Sequence, residues 1–323
     1  MKLAKRIALG AVAVLVVALI AFAIYVGSRQ NLKFDHAVPA IRASQDAAVV
    51  ARGEYLVRRM ANCAYCHGDP NRLKDAFLGK EDIALSGGRT WDIPPGSFRA
   101  YNITPDRETG IGAASDAELV RALRFGIGRD GRALLPFMEM QGLADDDLGA
   151  VISYLRVQTP VRHAVPPHDI GLLGKIVKAT LLAEPVGPKA QPPKLAPRGA
   201  TVENGRYLVE SVANCWACHT ERSEKTGELV GPRFGGARLA DELEPKKRAW
   251  NAPNLTSHSS GRVGQMGEEA FVARMKGGRV YEFSPMPWNS FARLDEDDLR
   301  AIYRYLRTVP KVDREMGQAL VEL

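Results

Sequence analysis

Cys63-Ala64-Tyr65-Cys66-His67 and Cys215-Trp216-Ala217-Cys218-His219 are two copies of one pattern, C-x-x-C-H. It is the attachment signature of a c-type haem. Two thiols three positions apart on a helical turn reach the two vinyl edges of one porphyrin. The residue that follows, a histidine, then presents its imidazole to the iron from the same side. The chain has four cysteines, and the two motifs use all of them. A redox-active dithiol needs no trailing histidine, and a Cys/His zinc site needs four convergent ligands. The sequence therefore predicts two covalently bound haems on Cys63, Cys66, Cys215 and Cys218, with His67 and His219 as proximal iron ligands.

The first cysteines stand at 63 and 215, an offset of 152, and the surrounding sequence repeats at that offset. Gly53-Glu54-Tyr55-Leu56-Val57 answers Gly205-Arg206-Tyr207-Leu208-Val209, and Ala61-Asn62 answers Ala213-Asn214. Asn102-Ile103-Thr104 answers Asn254-Leu255-Thr256. Further on, Tyr154-Leu155 answers Tyr305-Leu306 at an offset of 151. The chain reads as a tandem duplication of two domains, 45–160 and 200–312.

Each copy is expected to be helical, with almost no support for strands. Apolar residues recur at helical spacing over Arg52–Cys63 and Asn204–Cys215, with the motif histidine closing that helix. Asp116–Phe125 and Glu268–Met275 open on acidic residues and continue amphipathically. The last helices start at Asp145-Asp146-Asp147 and Asp295-Glu296-Asp297-Asp298 and are stopped by Pro160 and Pro310. Those acidic clusters read as helix N-termini, where carboxylates meet the positive end of the helix dipole.

Eight prolines between 160 and 197 mark an extended linker, 161–199. Within it, Leu172–Leu182 is apolar with lysines at 175 and 178 and is expected to be a short helix packed on a domain surface. The alternative is a partner-docking or membrane-surface helix. At the N-terminus, a basic flank (1–6, with Lys2, Lys5 and Arg6) precedes an uncharged apolar run, 7–26. Twenty helical residues span roughly 30 Å, the thickness of a bilayer's hydrocarbon core. The basic flank places this anchor's start in the cytoplasm and the rest of the chain outside. Ala21-Phe22-Ala23 also resembles a signal-peptidase site, but the run is long for a signal core. The net charge of +7 includes three charges of the flank. No basic run with interleaved aromatics suggests nucleic acid.

The sixth iron ligand decides what a haem can do: a methionine thioether raises its potential and blocks substrates. In Ser284-Pro285-Met286-Pro287-Trp288, two prolines hold Met286 in an extended loop. In the first copy the same register lands on Leu135, with Pro136 answering Pro287. A loop shortened by three residues brings Met138 to the ligand position, and Met140 is next in order. His163, His168 and His258 are reserve ligands.

With these residues the chain resembles a membrane-anchored diheme member of the class I cytochrome c superfamily, over roughly 45–160 and 200–312. Tyr101-Asn102-Ile103-Thr104-Pro105-Asp106 and Thr109-Gly110-Ile111-Gly112 resemble a segment in cytochrome subunits of periplasmic alcohol and sugar-acid dehydrogenases. Gly87-Gly88 and Gly235-Gly236 are similar to its glycine-rich turns. Met286-Pro287, Leu294 and Asp298-Leu299 match its methionine loop and last helix. Those subunits commonly carry three haems, whereas this chain has two motifs.

The resemblance implies an all-α fold: two tandem cytochrome c domains behind an N-terminal transmembrane helix in the bacterial inner membrane, with the haems in the periplasm. It implies single-electron relay between a dehydrogenase or quinol-oxidising complex and a terminal oxidase, with no catalytic residues. The alternative is a diheme enzyme of the peroxidase or thiosulfate dehydrogenase type that uses the first haem. Asn102 and Asn254 either reach a haem edge or only form turns.

Overall fold

The computed structural model describes residues 2–223, 227–282 and 284–323. Met1, the first residue of the expected basic flank, lies outside them. Helix α1, Lys2–Arg29, contains the whole apolar run, and Val26 is its buried residue. It is long and apolar enough to cross a membrane.

The first half opens with α2 (Ala47–Glu54), capped by the Asp46 carboxylate, which accepts from the amides of Ala48 and Val49. A π-helical turn, Tyr55–Met60, continues it. Then come α3 (Ala64–His67), α4 (Leu73–Phe77), the hairpin of β1 (Thr90–Ile93) and β2 (Gly96–Arg99), α5 (Asp116–Phe125) and α6 (Asp145–Val157). Strand β3 (Asp169–Ile170) adds to β2, with Gly96 opposite Ile170. Helix α7 (Leu172–Thr180) follows.

The second half repeats the plan. Helix α8 (Val202–Tyr207) runs into a π-helical turn, Leu208–Val212. After it come α9 (Trp216–His219), the hairpin of β4 (Ala237–Ala240) and β5 (Arg248–Ala252), α10 (Glu268–Lys276), α11 (Trp288–Phe291) and α12 (Glu296–Leu306). Strand β6 (Leu320–Glu322) adds to β5 as β3 adds to β2.

In each half the first and last helices cross at a glycine. A Cβ on Gly53 would stand 2.0 Å from the carbonyl oxygen of Ala150, and one on Gly205 would stand 1.9 Å from that of Ala301. Only the missing side chain lets these backbones approach so closely. The crossing buries Leu56, Met60, Leu148 and Ile152 in the first half and Leu208, Val212, Leu299 and Leu306 in the second. These residues belong to one continuous apolar core that runs through both halves.

The expected spans of α5, α6, α10 and α12 agree with the structure to within two residues. Their sequence signals are local: Ser115 and Glu118 form a reciprocal capping box, and Gly126 ends α5 in the left-handed region. Two expectations are corrected. The chain is mostly helical, at 39%, yet 9% is strand, in two three-stranded sheets, so it is not strictly all-α. The strands are two to five residues long, too short for alternation to register, and β3 and β6 arrive from beyond the last helix of their half. Second, the motif histidine does not close the pre-motif helix. That helix unwinds through its π turn, Asn62 (φ 46°) and Asn214 (φ 48°) break it, and each motif starts a turn of its own. Asparagine tolerates this left-handed backbone better than other residues with a Cβ.

The linker does not hang free. Asn102 donates to the carbonyl of Val161 at 2.8 Å, and His163 Nδ1 donates to that of Ser86 at 2.9 Å. At its far end, Pro193 and Lys194 accept from the amides of Asp145 and Asp146, at 2.9 and 3.1 Å. These bonds satisfy two of the orphan N–H groups that open α6.

Candidate haem sites

The two motifs have one geometry. The amide of His67 donates to the carbonyl of Cys63 at 2.8 Å, and that of His219 to Cys215 at 3.0 Å. A single helical turn therefore carries both thiols and the imidazole. The π turns upstream, closed by Ala61 N–H to the carbonyl of Leu56 and Ala213 N–H to that of Leu208, both at 2.8 Å, set the entry angle. Such π turns concentrate at functional sites.

Each imidazole is held from behind. His67 Nδ1 lies 2.7 Å from the carbonyl oxygen of Tyr101, and His219 Nδ1 lies 2.8 Å from that of Pro253. A carbonyl can only accept, so Nδ1 carries the proton and the Nε2 lone pair is left for a metal. Burial pushes both imidazoles below the ordinary histidine range, against the hydrogen bond, and keeps them neutral. Gly87 and Gly236, both at positive φ, donate to the carbonyls of His67 and His219, at 2.8 and 2.9 Å.

The thiols are desolvated. Burial, and then the neighbouring thiol, pushes Cys63 up to about 12; Cys215 also rises to about 12. Burial pushes Cys66 to about 11 and raises Cys218. A redox-active cysteine pair needs a depressed pKa, the opposite trend. Neutral buried sulfurs beside a neutral imidazole with a free Nε2 fit a tethered haem, with Cys63, Cys66 and His67 holding one group and Cys215, Cys218 and His219 the other.

The candidate sixth ligands lie in different surroundings. Met286 is half-buried, packs against the core and stands between Ser284 and α11. Arg279 clamps this loop by donating to the carbonyls of Ser284 (2.7 Å) and Met286 (3.3 Å). The same guanidinium also donates to the carbonyl of Phe77, and Asn289 donates to that of Leu78 at 2.8 Å, so the first half braces the second half's loop. Met138 is half-buried, and its carbonyl accepts from Gln141 at 2.9 Å. Met140 packs against the core. At the offset of 151 it answers Phe291, also a core residue.

The reserve histidines are engaged elsewhere. His163 lies on Ser86, His168 Nδ1 accepts from the amide of Arg99 at 3.1 Å, and His258 pairs with Ser260. Asn102 and Asn254 turn out to brace the chain. Each accepts from the threonine two residues on, and each donates to the segment after the last helix, at Val161 and Val312.

One group went unnoticed in the sequence. Glu242, just after β4, pairs with Arg89 of the first half and with the hydroxyl of Tyr65, inside the first motif. Its charge reaches Cys66 and Cys218. Arg89 lies 4.4 Å from the Tyr65 ring centroid and 4.7 Å from that of Trp91. No periodicity marks a lone glutamate in a hairpin; only the folded join reveals it.

A family model for cytochrome c matches residues 202–310. The chain carries a cytochrome c domain. The cytochrome c family implies haem c at this site. The cytochrome is 31% identical to one of the subunits of nicotinate dehydrogenase from Pseudomonas putida over 278 residues, 82% of this chain and 22% of that protein. It is 30% identical to the cytochrome c subunit of a quinone alcohol dehydrogenase from Gluconobacter oxydans over 300 residues, 84% of this chain and 58% of that protein. The chain thus spans well under two thirds of the length of both relatives. A diheme c-type cytochrome of Cereibacter sphaeroides is 28% identical over 263 residues, 78% of this chain and 83% of that protein. Alignments of this length extend beyond residues 202–310 into the first half.

Proposed function

We propose that the chain is a diheme c-type cytochrome that relays single electrons at the outer face of the bacterial inner membrane. The observation that carries this reading is the duplicated proximal site, in which His67 on Tyr101 repeats His219 on Pro253. It supports a second cytochrome c domain in the first half, over roughly 45–160. When bound, each haem carries one electron by cycling its iron between the ferrous and ferric states.

The chain's own residues supply the rest. Cys63, Cys66, Cys215 and Cys218 tether the groups. His67 and His219 present Nε2, and the carbonyls behind them fix the tautomer and ring plane. Met286 is the distal ligand of the second site, held by Arg279. Met138 is the distal ligand of the first. The pairing of Met140 with Phe291 supports this assignment, because it gives Met140 a core-filling role. A thioether on each iron closes both sites to substrates, so the haems carry electrons and do no bond chemistry.

Helix α1 supports a single-span anchor with the haem domains in the periplasm. Relatives whose names describe them as cytochrome subunits of alcohol, gluconate and fructose dehydrogenases support a dehydrogenase as electron donor. A quinol-oxidising complex is the other donor of suitable chemistry, and a terminal oxidase is the natural acceptor.

A redox titration of the haem-loaded chain, followed in the visible spectrum, tests the proposal. Two one-electron transitions, both low-spin, are expected. A high-spin first haem with turnover of peroxide or thiosulfate would replace the relay by an enzyme.

A further inference from the structure

Helix α7 is amphipathic in the wrong sense for a helix packed on a water-soluble domain. Its residues step by 100°, so Leu172, Leu173, Ile176, Val177 and Leu181, just past its end, fall on one side. That side faces out: Leu172 is 74% exposed, Leu173 50% and Leu181 80%. The side turned to the protein holds the small residues Gly174 and Ala179, both buried. A Cβ on Gly174 would lie 2.2 Å from the carbonyl oxygen of Pro95, so the helix is pressed onto the β1–β2 turn. A surface helix ordinarily does the reverse, turning leucines inward and small or polar residues out.

The position of α7 explains the reversal. It packs against α1 near the end of the apolar run, where Val26 is buried. Arg29, the last residue of α1, donates to the carbonyl of Ala179 at 3.3 Å and caps the far end of α7. The anchor is also fastened to the first half: Phe34 N–H donates to the carbonyl of Gly131 at 2.8 Å. The exposed leucines are therefore continuous with the apolar surface of α1. Lys175, Lys178 and Arg29 lie beside them, where anionic headgroups would sit.

We propose that α7 lies in the interface of the membrane that α1 spans, with Leu172, Leu173 and Leu181 sunk to the headgroup–acyl boundary. The first half is then held at a fixed height and tilt on the bilayer surface. This inference rests on the reading of α1 as a membrane anchor and adds a second contact to it.

Site-directed spin labels on the haem-loaded full chain, in nanodiscs of phosphatidylethanolamine and phosphatidylglycerol, test it. Labels are placed through Leu15→Cys in α1, Leu173→Cys in α7 and Lys189→Cys on an exposed linker site, with unchanged haem absorbance as the folding control. The Leu15 label should be accessible to oxygen and shielded from a water-soluble nickel chelate. The Leu173 label should show an oxygen-to-nickel accessibility ratio several-fold above that at Lys189. A Leu173 label as open to nickel as the Lys189 label, with Leu15 still shielded, overturns the inference and leaves the anchor standing. A Leu15 label open to nickel overturns the anchor reading and the inference with it.

Discussion

Tyr55 and Tyr207 exchange hydroxyls across the join between the halves. Tyr55 donates to Asp298 at 2.7 Å and accepts from the amide of Asp295 at 3.2 Å. Tyr207 donates to Asp147 at 2.8 Å and accepts from the amide of Ala144 at 3.1 Å. Each tyrosine lies one helix upstream of its own motif and pins the last helix of the other half. Either Tyr→Phe change leaves a buried carboxylate and an amide short of a partner, and should cost about 1–3 kcal/mol. Calorimetry of Tyr55→Phe/Tyr207→Phe should split one cooperative transition into two. A single transition with unchanged midpoint would contradict this coupling.

Asp147 makes the join sensitive to acid. Burial works to raise its pKa, but hydrogen bonds and charge from Arg52 and Arg198 outweigh burial and hold it below the usual carboxylate range. A depressed folded pKa stabilises the protein above the unfolded value, about 3.9, and that contribution is lost as pH falls through the folded pKa. Denaturant titrations should therefore show Asp147→Asn converging with the parent below about pH 3 and less stable by about 3 kcal/mol or more at pH 7, as expected when one partner of a buried ion pair is removed.

The glycine crossings should tolerate no side chain. Gly53→Ala and Gly205→Ala press a Cβ onto the backbone of Ala150 or Ala301, which cannot move as a side chain does. Each should cost about 3 kcal/mol or more, read from denaturant midpoints.

Much of this architecture could be read in the sequence, because its signals are local. Cysteine and histidine spacing gave the sites, and the Ser115–Glu118 cap and Gly126 bounded α5. What stayed hidden is held by non-local contacts. The π turns depend on the break at Asn62 and Asn214, the third strands come from beyond each half's last helix, and Glu242 gains meaning only when the halves meet. The outward leucines of α7 carry the same amphipathic pattern as a packed helix, and periodicity cannot say which side meets solvent.

The axial assignments separate by spectrum. Met286→His and Met138→His should each lower one reduction potential by on the order of 0.1 V or more, within the roughly 0.8 V that axial ligands span. Met140→Leu should leave both potentials in place, because leucine fills a core position well. A shift with Met140→Leu and none with Met138→His would transfer the first ligand to Met140.

Glu242 should act on both haems. Removing its charge by Glu242→Gln disfavours the ferric state, so both potentials should rise, on the order of tens of millivolts. Arg89→Gln should move them the opposite way. Potentiometric titration at fixed ionic strength measures both shifts, and a shift confined to one haem would mean that Glu242 serves a single site.

The duplicated attachment is tested most directly by the intact mass of the denatured chain, produced with the haem-attachment machinery. The account predicts a gain of two porphyrin groups over the polypeptide, with one group lost in Cys63→Ser/Cys66→Ser and the other in Cys215→Ser/Cys218→Ser. A polypeptide carrying one group, or none, would contradict it.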